Sequence, residues 1–101
     1  MAIVQELNAE GTRLTISVTG RFDFSSHRDF RESYEALESN PDLFTVNLKD
    51  ANYLDSSALG MLLLLRDHAN ASSAKVEIVN CSPDVRKILA ISNFEQLFAI
   101  H

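Results

Sequence analysis

Asp55-Ser56-Ser57-Ala58-Leu59-Gly60 stands at the junction of two periodicities. Before it, Phe44-Thr45-Val46-Asn47-Leu48 reads as a strand. After it, Met61-Leu62-Leu63-Leu64-Leu65-Arg66 reads as an apolar helix. Short polar residues ahead of an apolar period mark a helix start, because their side chains accept bonds from the first unpaired backbone N–H groups. A hydroxyl there lies at the positive end of the helix dipole, where a phosphate is electrostatically favoured. Ser56 is therefore read in two ways, as a cap or as a modifiable switch residue.

Downstream of this junction, Asn70-Ala71-Ser72-Ser73 closes the helix near Ala69, and Lys75 to Val79 is a further strand. Strand, helix and strand in succession make a crossover unit with parallel strands. Upstream, Leu14, Ile16 and Val18 alternate with Thr15, Ser17 and Thr19, the period of a half-buried strand. Ile3 to Leu7 is a modest strand, and Asn8-Ala9-Glu10-Gly11 makes a hairpin of the two. In Gly20-Arg21-Phe22-Asp23-Phe24, the two phenylalanines are expected on one face and Asp23 on the other. Ser26 with Asp29 resembles a capping box, opening a helix from about Ser26 to Glu38 that buries Phe30, Tyr34 and Leu37. Asn40-Pro41 stops it, Leu43 to Leu48 is an interior strand, and Lys49-Asp50-Ala51-Asn52 leads on to the Asp-Ser-Ser start. Downstream, Ser82-Pro83-Asp84 starts a helix that buries Val85, Ile88 and Leu89 and ends by Asn93. Phe94 to Ile100 is read as either a final strand or a packing tail. Residues 1–101 thus form a single α/β domain: a small mixed sheet of four to five strands with about three to four helices packed on it.

Composition narrows the function. Nine Lys and Arg against 14 Asp and Glu give a net charge of −5, which argues against a nucleic-acid partner. The single cysteine, Cys81, excludes an internal disulfide, fits a reducing compartment and reads as a small core residue. Met1 to Glu6 lacks the features of a signal peptide. The longest apolar run, Met61 to Leu65, is far short of the ~20 residues of a bilayer span, so a cytoplasmic location is expected.

No enzyme is expected. His27, His68 and His101 are the candidate bases for Ser56; His68 lies about three turns on, roughly 18 Å by helical rise. There is no Gly-x-Ser-x-Gly elbow, no metal spacing and, with 3 glycines, no phosphate-binding loop. Catalytic, metal and cofactor sites are therefore expected to be absent, and the histidines to lie on the surface.

In the central helix, Ala58, Leu62, Leu65 and Ala69 share one side, while Gly60, Leu64 and Asp67 fall roughly opposite. An exposed Leu64 beside a glycine suits a docking face, with Gly60 there because a close neighbour leaves no room for a side chain; alternatively, a loop covers Leu64. Phosphate on Ser56 adds about −1.5 to −2 charges. It leaves the fold intact and acts on a bound partner, where like-charge contacts cost several kcal/mol.

Asp55-Ser56-Ser57-Ala58-Leu59-Gly60 after an apolar strand, Gly20-x-x-Asp23, and Ser82 to Leu89 followed by Phe94 to Ile100 together resemble the STAS family. The likeness is to its bacterial anti-sigma factor antagonists, especially the short Gram-negative type of partner-switching pathways. That resemblance implies a non-catalytic protein whose unmodified form binds an anti-sigma factor that is also a serine kinase, freeing the sigma factor. It implies phosphorylation at Ser56, with Ser57 second, and removal of the phosphate by a PP2C-type phosphatase. Asp23 and Asp55 then form the acidic surroundings, and Asp23, Ser57, Ala58, Gly60, Met61 and Leu64 the partner-binding surface. Ala58 departs from the glycine that many members carry. The free domain is expected to be monomeric. The alternative is a non-phosphorylated STAS subunit of a transporter, such as a lipid ABC complex, or of a stress-signalling complex.

Overall fold

The computed structural model describes residues 2–37 and 40–101. In chain order the elements are β1 (Ala2–Leu7), β2 (Arg13–Phe22), α1 (His27–Glu35), β3 (Leu43–Leu54), α2 (Ser56–Ala71), β4 (Lys75–Val79), α3 (Pro83–Ile91) and β5 (Ala99–Ile100). Short 3-10 turns occupy Phe24–Ser26 and Phe94–Gln96. The sheet order is β1-β2-β3-β4-β5, with β1 antiparallel to β2 and the remaining pairs parallel. It is a single small domain with a five-strand mixed sheet.

The alternation in β2 sets the core. Ile16 sits beside Val46, and Val46 beside Ile78, so the apolar rows of three adjacent strands coincide. All three side chains are wholly buried. Helix α2 lays Ala58, Leu62, Leu65 and Ala69 on this core, each wholly buried, as the 3.6-residue period requires. Helix α1 adds Phe30 and Tyr34, with Leu37 packed just beyond its end; α3 adds Val85 and Leu89, with Ile88 half-buried. The Ser82 hydroxyl accepts from the Val85 N–H at 3.2 Å ahead of Pro83, the start its sequence announces.

Strand β3 is longer than its apolar core. Lys49-Asp50-Ala51-Asn52, expected as a connection, pairs with the end of β2, because Ala51 and Leu54 are buried and hold it there. The register shifts between Ser17 and Thr19 and again between Gly20 and Arg21, which erases the simple alternation that reveals a strand. Gly20 has φ 85, a left-handed conformation that strongly favours glycine.

Around α1 the structure corrects several expectations. The chain leaves β2 at Phe22 and turns, so Phe22 is buried while Phe24 is 72% exposed; the two do not share a face. Ser26 makes no capping bond and is wholly buried. Asp23 instead caps the 3-10 turn, accepting from the Ser25 N–H. The helix ends at Glu35, and the expected end at Glu38 lies outside the described residues. The C-terminal stretch is both things anticipated for it: Phe94 and Phe98 pack into the core with ring centroids 5.4 Å apart, and Ala99–Ile100 add a short strand.

Candidate functional site

Strands β2 and β3 end together, with Phe22 beside Leu54 and the Asp55 N–H donating to the Phe22 carbonyl at 3.3 Å. Their next residues, Asp23 and Asp55, therefore open onto the same corner, where α2 begins. Asp55 is the N-cap of α2. Its Oδ1 accepts from the Ala58 N–H at 2.9 Å and from the Ser57 hydroxyl at 2.6 Å. These bonds, the Ser57 hydroxyl first, hold its carboxyl below the ordinary value of 3.8 against the opposing effect of burial. Asp23 is lowered in the same way, chiefly by the Ser25 hydroxyl, although the neighbouring Asp55 charge pushes it up. Arg21 reaches Asp23 Oδ2 at 3.6 Å and lies over the Tyr53 ring, 4.5 Å from its centroid. The corner thus carries two carboxylates at neutral pH, with Arg21 at its rim.

Ser56 is the first residue of α2 and is exposed. Among the described residues its hydroxyl makes no hydrogen bond. Capping is done by Asp55, so the cap reading of Ser56 gives way. Ser57 is half-buried and its hydroxyl is committed to Asp55. The two serines are thereby distinguished: one hydroxyl is tethered and the other open to solvent.

Along the outer side of α2 run Ser56, Gly60, Leu63, Leu64 and Asp67, all exposed. Leu64 is 50% exposed, so no loop covers it. A Cβ placed on Gly60 would have no atom within 4 Å, so among the described residues no neighbour demands the glycine. Ala58 and Met61, expected on the partner-binding surface, are core residues at 0% and 3% exposure. At 100° per residue they turn inward with Leu62 and Leu65, and neither can offer its side chain to a partner. Two apolar residues absent from that expectation are exposed instead. Phe24, beside Asp23, is stacked on His27 with centroids 5.7 Å apart, and Leu63 is 37% exposed. The run Met61 to Leu65 held a sign of this, because five consecutive apolar residues cannot all face one side of a helix.

The histidines occupy three separate places. His27 is half-buried under Phe24 rather than a free surface residue. His68 lies against Tyr34, with centroids 4.8 Å apart, and His101 lies 3.5 Å from Glu77.

The family described as "Mlab, STAS domain" matches residues 6–99. A STAS-domain containing protein of Pseudomonas aeruginosa, strain UCBPP-PA14, is 60% identical over 100 residues, covering 99% of each chain. Among solved structures, the anti-sigma factor antagonist SpoIIAA in its unphosphorylated form superposes with a TM-score of 0.84 at 20% identity, covering 99% of this chain and 88% of that one. A sulfate transporter family protein from Wolinella succinogenes superposes with a TM-score of 0.79 at 11% identity, over 91% and 80% of the two chains. An anti-sigma factor antagonist from Mycobacterium paratuberculosis gives 0.77 at 14% identity, over 99% and 86%. At these identities the structural likenesses speak for the fold, while the family match and the 60% identical relative decide membership: the chain belongs to the STAS-domain family.

Proposed function

We propose that this STAS domain is a non-catalytic binding switch of the anti-sigma factor antagonist kind, set by phosphorylation of Ser56. The observation that carries the reading is the division of labour at the start of α2: Asp55 caps the helix and tethers Ser57, leaving the Ser56 hydroxyl exposed and uncommitted. The SpoIIAA fold, solved in both unphosphorylated and phosphorylated forms, supports it by analogy. In this reading the unmodified protein docks an anti-sigma factor with serine kinase activity through Phe24, Gly60, Leu63 and Leu64, releasing the sigma factor. Gly60 then serves the partner, keeping the outer face of α2 bare where another chain approaches. Phosphate on Ser56 joins the Asp23 and Asp55 carboxylates and repels that partner. A PP2C-type phosphatase resets the switch, all in the cytoplasm, with the free domain monomeric.

The test is a pull-down with three forms, with phosphate located by mass spectrometry. Ser56→Ala is expected to bind the partner and resist modification. Ser56→Asp is expected to lose binding about a thousandfold, the equivalent of about 4 kcal/mol, with its melting temperature nearly unchanged. Phosphate found on Ser57 with Ser56 unmodified would refute the assignment.

The transporter-derived fold relatives favour one second reading, a regulatory STAS subunit of a transporter. There α2 is still the docking face, but the protein co-purifies with a transporter component and Ser56 carries no phosphate in cells.

A further inference from the structure

We propose that the free edge of β1 takes a basic, extended peptide segment of a partner protein as a sixth strand. Strand β1 lies at the end of the sheet, so one side of its backbone pairs with β2 and the other faces no strand among the described residues. Exposed edges are normally blunted by shortness, bulges, proline or lysine. The opposite edge, β5, is only two residues long. β1 has six residues, pairs with β2 in unbroken register, and contains neither proline nor lysine; its one charged residue, Glu6, is acidic and opposes a like-charged strand, not a basic one. Its Val4 is 59% exposed and its Leu7 39%. This is an edge able to accept a strand through main-chain hydrogen bonds.

A groove of about 520 Å³ beside this edge determines what kind of strand fits. Ile3 and Gln5 of β1 form one wall and Asp29, Glu32, Ser33 and Ala36 the other. Asp29 has no ion-pair partner among the described residues, and Glu32 is held by Arg28 at 3.1 Å. Side chains of an added strand alternate between two faces. One row enters the groove beside Ile3 and Gln5 and meets the two carboxylates. The other lies beside Val4. The complementary segment therefore alternates lysine or arginine with apolar residues, a match reinforced by the net charge of −5. A second copy of this chain fits worse, since it would bring its own Glu6, Asp29 and Glu32 to an edge already lined by the same acids. The inference is independent of Ser56, which lies on another element.

The probe is an eight-residue, end-blocked peptide of alternating lysine and valine, added to the unmodified full chain. Binding is read by fluorescence anisotropy, and its place by amide hydrogen exchange. The expected result is saturable binding that weakens with salt and slows exchange in β1. The double variant Asp29→Asn, Glu32→Gln, confined to exposed positions, is expected to bind at least tenfold more weakly while staying folded, with a melting temperature lower by no more than a few degrees as the Arg28 pair and the first-turn acid of α1 are lost. A peptide with glutamate in place of lysine is expected not to bind. Undiminished binding by the double variant, or protection appearing on α2 and not β1, would overturn the proposal. So would sedimentation of the free chain as a dimer with β1 already protected, which would assign the edge to a second copy.

Discussion

Asp55 and Ser56 are neighbours in opposite circumstances. Asp55 accepts from the Ala58 N–H and the Ser57 hydroxyl, while Ser56 points into solvent. Asp55→Ala removes a helix cap and is expected to cost about 1 kcal/mol, lowering the melting temperature by about 4–8 °C for a domain of this size. The same carboxylate sets a pH dependence. Its folded pKa lies below the ordinary 3.8 because the charged form is hydrogen-bonded, so its contribution is complete above that value. It is lost as pH falls through the depressed folded value. Melting curves from pH 7 to pH 3 should therefore show the gap between the wild type and Asp55→Ala narrowing below about pH 4. A gap that widened on acidification would mean that the neutral carboxyl is the stabilising form.

At the level of the element, α2 has two faces under different demands. Leu62 is wholly buried and Leu64 is half exposed. Leu62→Ala leaves a cavity and is expected to cost about 2–5 kcal/mol. Leu64→Ala should scarcely alter stability but weaken partner binding, and denaturant unfolding run beside a pull-down separates the two effects. Gly60 gives a sharper contrast. Its position is helical and open, so Gly60→Ala should stabilise the isolated domain by about 0.5–1 kcal/mol through helix propensity. If the bare backbone serves a docking partner, the same methyl lowers affinity. A variant both more stable and poorer at binding is the expected signature. Gly60→Ala that binds as well as wild type would leave the glycine without a role at the interface.

Across the whole molecule, contacts distant in sequence join the strands on the side away from α2. The Thr45 hydroxyl, nearly buried, donates to Glu77 at 2.8 Å and accepts from Arg13 at 3.3 Å, and Arg13 and His101 both approach Glu77. One carboxylate thus links β2, β3, β4 and the C-terminal residue. Glu77→Ala leaves the Thr45 hydroxyl without its acceptor and is expected to cost about 1–3 kcal/mol. Hydrogen exchange should locate the loosening at β4 and β5. Because β5 is so short, its pairing with β4 is reinforced by this network and by the packing of Phe94 and Phe98.

The amino-acid sequence alone determined the order of elements, the core face of α2 and the Asp-Ser-Ser start. These rest on local periodicity and capping chemistry, which neighbouring residues carry without help. Tertiary structure decided the rest. It extended β3 through Leu54 because Ala51 and Leu54 found a core, behind a register shift that hides the alternation. It sent Phe24 outward because the chain turns after Phe22, and it drew Met61 inward because the sheet lies on that side of the helix. It also assigned the cap to Asp55 and left Ser56 free, a choice among three adjacent polar residues that only the direction of the entering backbone could make.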